Sequence, residues 1–285
     1  MRVSQLLFLI FWGIGVSACK TDKDQAKPYI SIPSPPQDKG WTFETVPVWS
    51  DEFDYTGLPD PSKWGYDIGG SGWGNNELEY YTNDVKNASV ANGKLIITAI
   101  KEEVGGRNFT SARLVTKNKG DILYGRIEIK ARVPAGKGTW PAIWMLPTDW
   151  VYGDWPKSGE IDIMEHVGYD PDVIHISTHC EAYYFRLNNQ KTAVKKIVNA
   201  TTEYHVYRVD WTPYAIRGYI DGQLIFTNVN EGTGSKVWPF DKRFHLILNV
   251  AVGGDWGGAQ GIDESAFPAS MDVDYVRFYK MIEKP

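Results

Sequence analysis

The chain has 285 residues, room for one large domain or two small ones, and 42% of them are hydrophobic, enough for a sizeable core. Its formal net charge is −5, from 30 Lys and Arg against 35 Asp and Glu, and no basic block occurs, which argues against a nucleic-acid partner. The aromatic load is heavy, with 12 Trp and 16 Tyr.

The N-terminus reads as an export signal. Arg2 precedes an apolar run from Leu6 to Val16, eleven residues, too short to cross a bilayer as a helix. Val16-Ser17-Ala18-Cys19 resembles a bacterial lipobox, which implies a signal peptide over 1–18 and lipid on the Cys19 thiol. Stable anchoring then needs more than one acyl chain. The expected location is the bacterial cell envelope, at the outer membrane or cell surface. Ordinary export, with Cys19 an incidental thiol, is the alternative. Acylation leaves Cys180 without a disulfide partner, and a Cys19–Cys180 bridge is the competing arrangement. Residues 19–40 are polar, carry Pro28, Pro33, Pro35 and Pro36, and show no hydrophobic period. They read as a flexible tether, extended by about 3.1 Å per residue where polyproline-like.

From Trp41 to the end of the chain, residues 41–285, short strands alternate with Gly, Asn, Asp and Pro turns, and no amphipathic helix stands out. Gly72-Trp73-Gly74-Asn75-Asn76-Glu77 is a turn-rich loop that offers stacking and hydrogen bonds to a sugar. Arg113 lies among small and apolar neighbours in a strand. Charged and apolar residues alternate from Arg126 to Val133. Asp221-Gly222, between Ile216–Ile220 and Gln223–Phe226, is a type I′ hairpin signal. Phe244–Val252 reads as a strand buried on both sides, Gly253–Gly258 as a loop presenting Trp256, and Val273–Tyr279 as a closing strand. Such a succession of antiparallel strands points to two packed sheets.

Chemistry concentrates in Glu160-Ile161-Asp162-Ile163-Met164-Glu165. Isoleucines alternate with Glu160 and Asp162, the pattern of a half-buried strand, but Glu165 falls on the wrong parity. One residue bulged at Ile163-Met164 returns it to the acidic face. The two Glu backbones then stand about 13 Å apart, at about 3.3 Å per residue, and their side chains can lean together. Carboxyls about 5–5.5 Å apart suit a retaining glycosidase, and wider gaps an inverting one. Three clustered acids repel and titrate together, so one can hold a proton while another is an anion. A solvated edge strand or a cation site would show the same acids. Trp140, Trp144, Trp150 and Trp155 lie just upstream, and flat rings suit sugars. His175 and His179 stand about 13 Å apart on a strand, too far to share a zinc ion.

Trp140-Pro141-Ala142-Ile143-Trp144-Met145 followed by Gly159-Glu160-Ile161-Asp162-Ile163-Met164-Glu165 resembles glycoside hydrolase family 16, and within it the laminarinases, endo-β-1,3-glucanases. The likeness spans residues 41–280. It implies a curved β-sandwich jelly roll with a concave substrate cleft. It also implies a retaining endo-β-1,3-glucanase that needs no catalytic cofactor, works as a monomer and takes β-glucan, with mixed β-1,3/1,4-glucan a further substrate. In this resemblance Glu160 is the nucleophile, Glu165 the acid/base and Asp162 the residue that tunes Glu160. Asn76, Arg113, Trp140, Trp144, Trp155, His179 and Trp256 are the implied substrate contacts. Some relatives carry a structural calcium, which here maps to Glu52, the backbone of Gly93 and Asp274. An agar-type galactan hydrolase of the same family and a non-catalytic glucan-binding lectin are the rival readings.

Overall fold

The computed structural model describes residues 35–284, and the signal peptide, the lipobox with Cys19 and most of the tether lie outside the described residues. Strands of two to eleven residues make up nearly all the regular structure, with two short 3-10 turns, Phe185–Leu187 and Glu264–Ala266, and no α-helix among the described residues. The end of the expected tether, Pro35–Gly40, carries no strand, and Asp38 pairs with Arg217 at 3.5 Å.

An inner sheet has the spatial order Lys191–Lys196, Val173–His179, Glu160–His166, Thr139–Pro147, Phe244–Val252, Arg113–Val115 and Gly65–Tyr66. Period-2 alternation gives each strand two jobs. In Thr139–Pro147, Ile143 and Met145 enter the core, whereas Trp140, Ala142, Trp144 and Leu146 line a cleft on the opposite face. Ile174 and Ile176 alternate likewise with His175, Ser177 and His179. All nine residues of Phe244–Val252 are buried, as expected of a strand covered on both sides.

The outer sheet runs Gln223–Val229, Ala215–Ile220, His205–Trp211, Gly125–Arg132, Ala269–Tyr279, Lys94–Ala99 and Ala88–Ala91, with Trp49–Asp51 also paired to Ala269–Tyr279. Gly125–Arg132 alternates buried and half-buried residues without a fault, as its sequence predicts. Asp221 and Gly222 have φ of +48° and +78°, the left-handed pair that a type I′ turn requires. The two sheets enclose one core that includes Trp64, Ile127, Ile129, Tyr207, Trp211, Phe240, Phe244 and Phe278. This is the expected jelly-roll sandwich. Antiparallel pairing is not universal: Glu79–Tyr81 runs parallel to Phe109–Ser111.

Candidate active site

The strand Glu160–His166 is bulged. On one side Asp162 pairs with Ser177 and Glu165 with His175, so three steps on this strand match two on its neighbour. On the other, Ile143 faces Met164 while the adjacent Trp144 faces Asp162, which leaves Ile163 unmatched. Ile163 and Met164 both enter the core, and Glu160, Asp162 and Glu165 all line the cleft. The bulge lies where the parity argument requires it.

Each Glu is held by an indole. Trp155 Nε1 donates to Glu160 Oε2 at 2.8 Å, and Trp140 Nε1 donates to Glu165 Oε1 at 3.1 Å. His179 Nε2 lies 3.2 Å from Asp162 Oδ2 and 3.9 Å from Glu160 Oε1. Polar side-chain atoms of Glu160, Asp162 and His179 fall within 4.8 Å of one another. Burial, then the charge of Asp162, pushes Glu160 and Glu165 up to about 8 each. Burial does the same to Asp162. Asp162 is buried and the two Glu are half-buried on the cleft wall, so the anions are incompletely solvated and repel one another. Protons therefore stay on the trio through the neutral range.

The cleft has a volume of about 890 Å³. Trp140, Trp144, Trp155, His179, Arg113 and Trp256 all line it. The Arg113 guanidinium lies 4.7 Å from the Trp73 ring centre and 4.8 Å from that of Trp144, and its Nε donates to Asp67 at 3.0 Å. Trp256 meets the edges of Trp140 and His175 at 5.5 and 4.8 Å. Asn76 is placed differently. It is exposed, outside the cleft lining, with φ of +57°, and its Nδ2 donates to Asp255 Oδ1 at 2.8 Å. Its neighbour Asn75 lines the cleft instead. His175 and His179 share a face but sit opposite different residues, Glu165 and Glu160.

Trp73 and Asn75 line the cleft, in keeping with the stacking and hydrogen bonds expected of their loop, and Glu77 and Asn249, which the sequence did not mark as contacts, line it too. Two signals were available: the alternation Glu77, Glu79, Tyr81, and a lone Asn inside the apolar run Phe244–Val252. Glu77 and Glu79 are both buried, the first on the cleft wall.

The residues assigned to calcium lie outside the cleft. Both oxygens of Glu52 accept from Arg277, at 2.9 and 2.7 Å, and this pairing holds the Glu52 carboxyl below the usual range. Asp274 pairs with Lys130 at 2.7 Å, and Gly93 sits in an exposed turn at φ of +71°. Carboxylate oxygens suit calcium in kind. As placed they do not fit an ion, because a side-chain cation already neutralises each one.

Residues 75–277 match the family model for glycosyl hydrolases family 16. The chain belongs to that family. A β-glucanase from Rhodothermus marinus is 50% identical over 284 residues, covering 97% of this chain and 94% of the relative. The solved laminarinase from Rhodothermus marinus superposes with a TM-score of 0.83 at 52% identity, covering 85% of this chain and 99% of that one. A keratan-sulfate endo-1,4-β-galactosidase from Sphingobacterium multivorum is 36% identical, covering 97% of this chain and 67% of the relative. The chain is thus similar to glycoside hydrolases along nearly its whole length.

The charge of Asp162 raises both Glu carboxyls, so Asp162→Asn is expected to lower their titration midpoints. Carbon-13 NMR titration of the side-chain carboxyls reads this directly, and unmoved midpoints would leave burial as the sole cause.

Proposed function

We propose that the protein is a retaining endo-hydrolase of β-1,3-glucan, with mixed β-1,3/1,4-glucan a secondary substrate. The observation that carries this reading is the bulge, which brings three acids to one face and leaves each Glu under a separate indole donor. Glu165 keeps its proton through the neutral range and gives it to the glycosidic oxygen as the bond breaks. Glu160 attacks the anomeric carbon as an anion, steadied by the Trp155 N–H. Asp162, 2% exposed, holds the proton that would otherwise sit on Glu160. The covalent glycosyl-enzyme is then opened by a water that surrenders its proton to Glu165. Trp73, Trp144 and Arg113 form a stacked wall on which sugar rings seat, with Trp140 and Trp256 meeting edge to face elsewhere in the cleft.

The resemblance to laminarinases, at higher identity than to the galactosidase named above, supports glucan over galactan. A lectin has no use for a proton donor facing a nucleophile, so the intact trio supports catalysis over binding alone. The enzyme is proposed to be a monomer. We also propose export and lipid anchoring at Cys19, supported by the Leu6–Val16 run and the lipobox. Calcium at Glu52, Gly93 and Asp274 is proposed as an exchange: the ion would displace Arg277 from Glu52 and Lys130 from Asp274.

Laminarin should be cut internally, mixed-linkage glucan more slowly and cellulose not at all, as product chromatography across pure polysaccharides will show. Preference for agarose would retire the glucan assignment and leave the acids in place. The roles of the two Glu residues separate with azide and an activated β-glycoside. Glu160→Ala should give the α-glycosyl azide, and Glu165→Ala the β-azide by capture of the intermediate. Swapped products would reverse the two roles. Cys19→Ala should release the protein from membranes at unchanged specific activity; a variant still in the membrane fraction would sink the anchor. If calcium binds, it raises Tm and a chelator lowers it, by mass action on the native state. A Tm indifferent to both leaves the two ion pairs without an ion.

A further inference from the structure

Glu77, Glu79 and Tyr81 follow the two-residue period of an extended segment, and they are 5%, 0% and 0% exposed. A polar chain starts at this buried stripe and ends on the cleft wall. The Tyr81 hydroxyl donates to Glu77 Oε2 at 3.2 Å and accepts from Asn249 Nδ2 at 3.0 Å. Asn249 Oδ1 in turn accepts from Trp144 Nε1 at 2.7 Å. Asn75 Nδ2 donates to the other Glu77 oxygen at 3.1 Å. Both ends fix the sense of the chain, since an indole N–H can only donate and an ionised carboxylate can only accept.

Glu79 is the second acid. The Val252 N–H donates to its Oε2 at 2.6 Å, while its Oε1 is buried with no partner. Two interacting carboxyls this deep cannot both be anions. Burial raises the Glu77 carboxyl, but both its oxygens accept hydrogen bonds, from Asn75 and Tyr81, and these with the Arg113 charge pull the other way, whereas Glu79 has one oxygen without a partner. Burial, then the Glu77 charge, pushes Glu79 well above the usual carboxylate range, against the single Val252 N–H. The single proton therefore belongs to Glu79 and the negative charge to Glu77.

We propose that Glu77 and Glu79 are a proton-sharing pair that positions Trp144, Asn75 and Asn249, and so sets the cleft's grip on sugar units lying away from the catalytic strand. Trp144 is one strand from Glu160–His166 in the sheet, Asn249 two and Arg113 three, so this wall follows the substrate outward from the reacting bond. Neither Glu touches the reacting atoms in this scheme; both act through the wall. The inference rests on the glycan-hydrolase reading above.

Three variants test it, each followed by Tm and by kinetics on laminari-oligosaccharides of increasing length. Glu77→Gln turns an amide donor toward the Tyr81 hydroxyl and Asn75, and should raise KM for long oligosaccharides by about tenfold with kcat changed by less than about threefold. Tyr81→Phe cuts the same chain without touching an acid and should move KM in the same direction. Glu79→Gln supplies an N–H where the shared proton sat, and should keep KM within about twofold of the parent. The infrared difference spectrum of the parent minus Glu79→Gln near neutral pH should hold a protonated-carboxyl band, to which the unchanged catalytic trio does not contribute, a readout that needs no activity. Glu79→Gln as damaging as Glu77→Gln, or kcat falling in step with Tm in all three, would overturn the positioning role. Absence of that band from the difference spectrum would overturn the shared proton. A parent that cleaves no glucan but shows the band would fail the substrate reading alone.

Discussion

A strand delivers side chains to one face at every second residue, so acids at 160, 162 and 165 share a face when the backbone takes up one residue that its neighbours do not match. Both flanking strands record that mismatch, at Asp162/Glu165 on one side and at Ile143/Trp144 on the other. Without the bulge Glu165 would point into a core of Ile143, Met145 and Ile174, where an unpaired carboxylate costs far more than a strand pairing supplies. The hydrophobic pressure that seats Ile163 and Met164 together thus also turns the acid outward. The indoles of Trp140 and Trp155 hold their partners from positions that the same sheet fixes.

Such a site works against the stability of the fold. The three carboxyls hold their protons more tightly in the folded chain than in the unfolded one. Their contribution to stability is therefore fully present below the ordinary carboxylate range and is lost as pH rises through about 8. The sandwich offsets this elsewhere, by a core continuous between the sheets and by acids paired with cations on the outer sheet. Asp210, 1% exposed, takes two hydrogen bonds from Arg126 at 2.8 and 3.0 Å. Asp272 gathers Lys94 at 3.1 Å and Arg132 at 2.8 Å. One face of the molecule satisfies its charges, and the other keeps them in tension.

The features legible in the sequence were those with a local period. Alternation gave the strand Gly125–Arg132, Asp221-Gly222 gave its hairpin, and a fault in parity at Glu165 located the bulge. What escaped depends on single dihedrals or on distant partners. Asn75 and Asn76 are chemically identical, and a left-handed turn at Asn76 decides which one meets the cleft. The parallel pairing of Glu79–Tyr81 with Phe109–Ser111 involves three residues on each side, too few to leave a pattern. Glu52 and Asp274 carry the chemistry of calcium ligands, and nothing local foretold that Arg277 and Lys130 would answer them.

Trp41–Phe43 pairs antiparallel with Met281–Glu283, in a two-stranded sheet separate from the sandwich. A load applied from the N-terminal side meets the Asp38–Arg217 pair and then this short ladder. Three residue pairs can peel apart one at a time, each at small force, while the long strands behind them stay in register. The bulged strand and its acids lie in the seven-stranded sheet, which shares no pairing with this ladder, so opening the ladder breaks no hydrogen-bonded neighbour of the site.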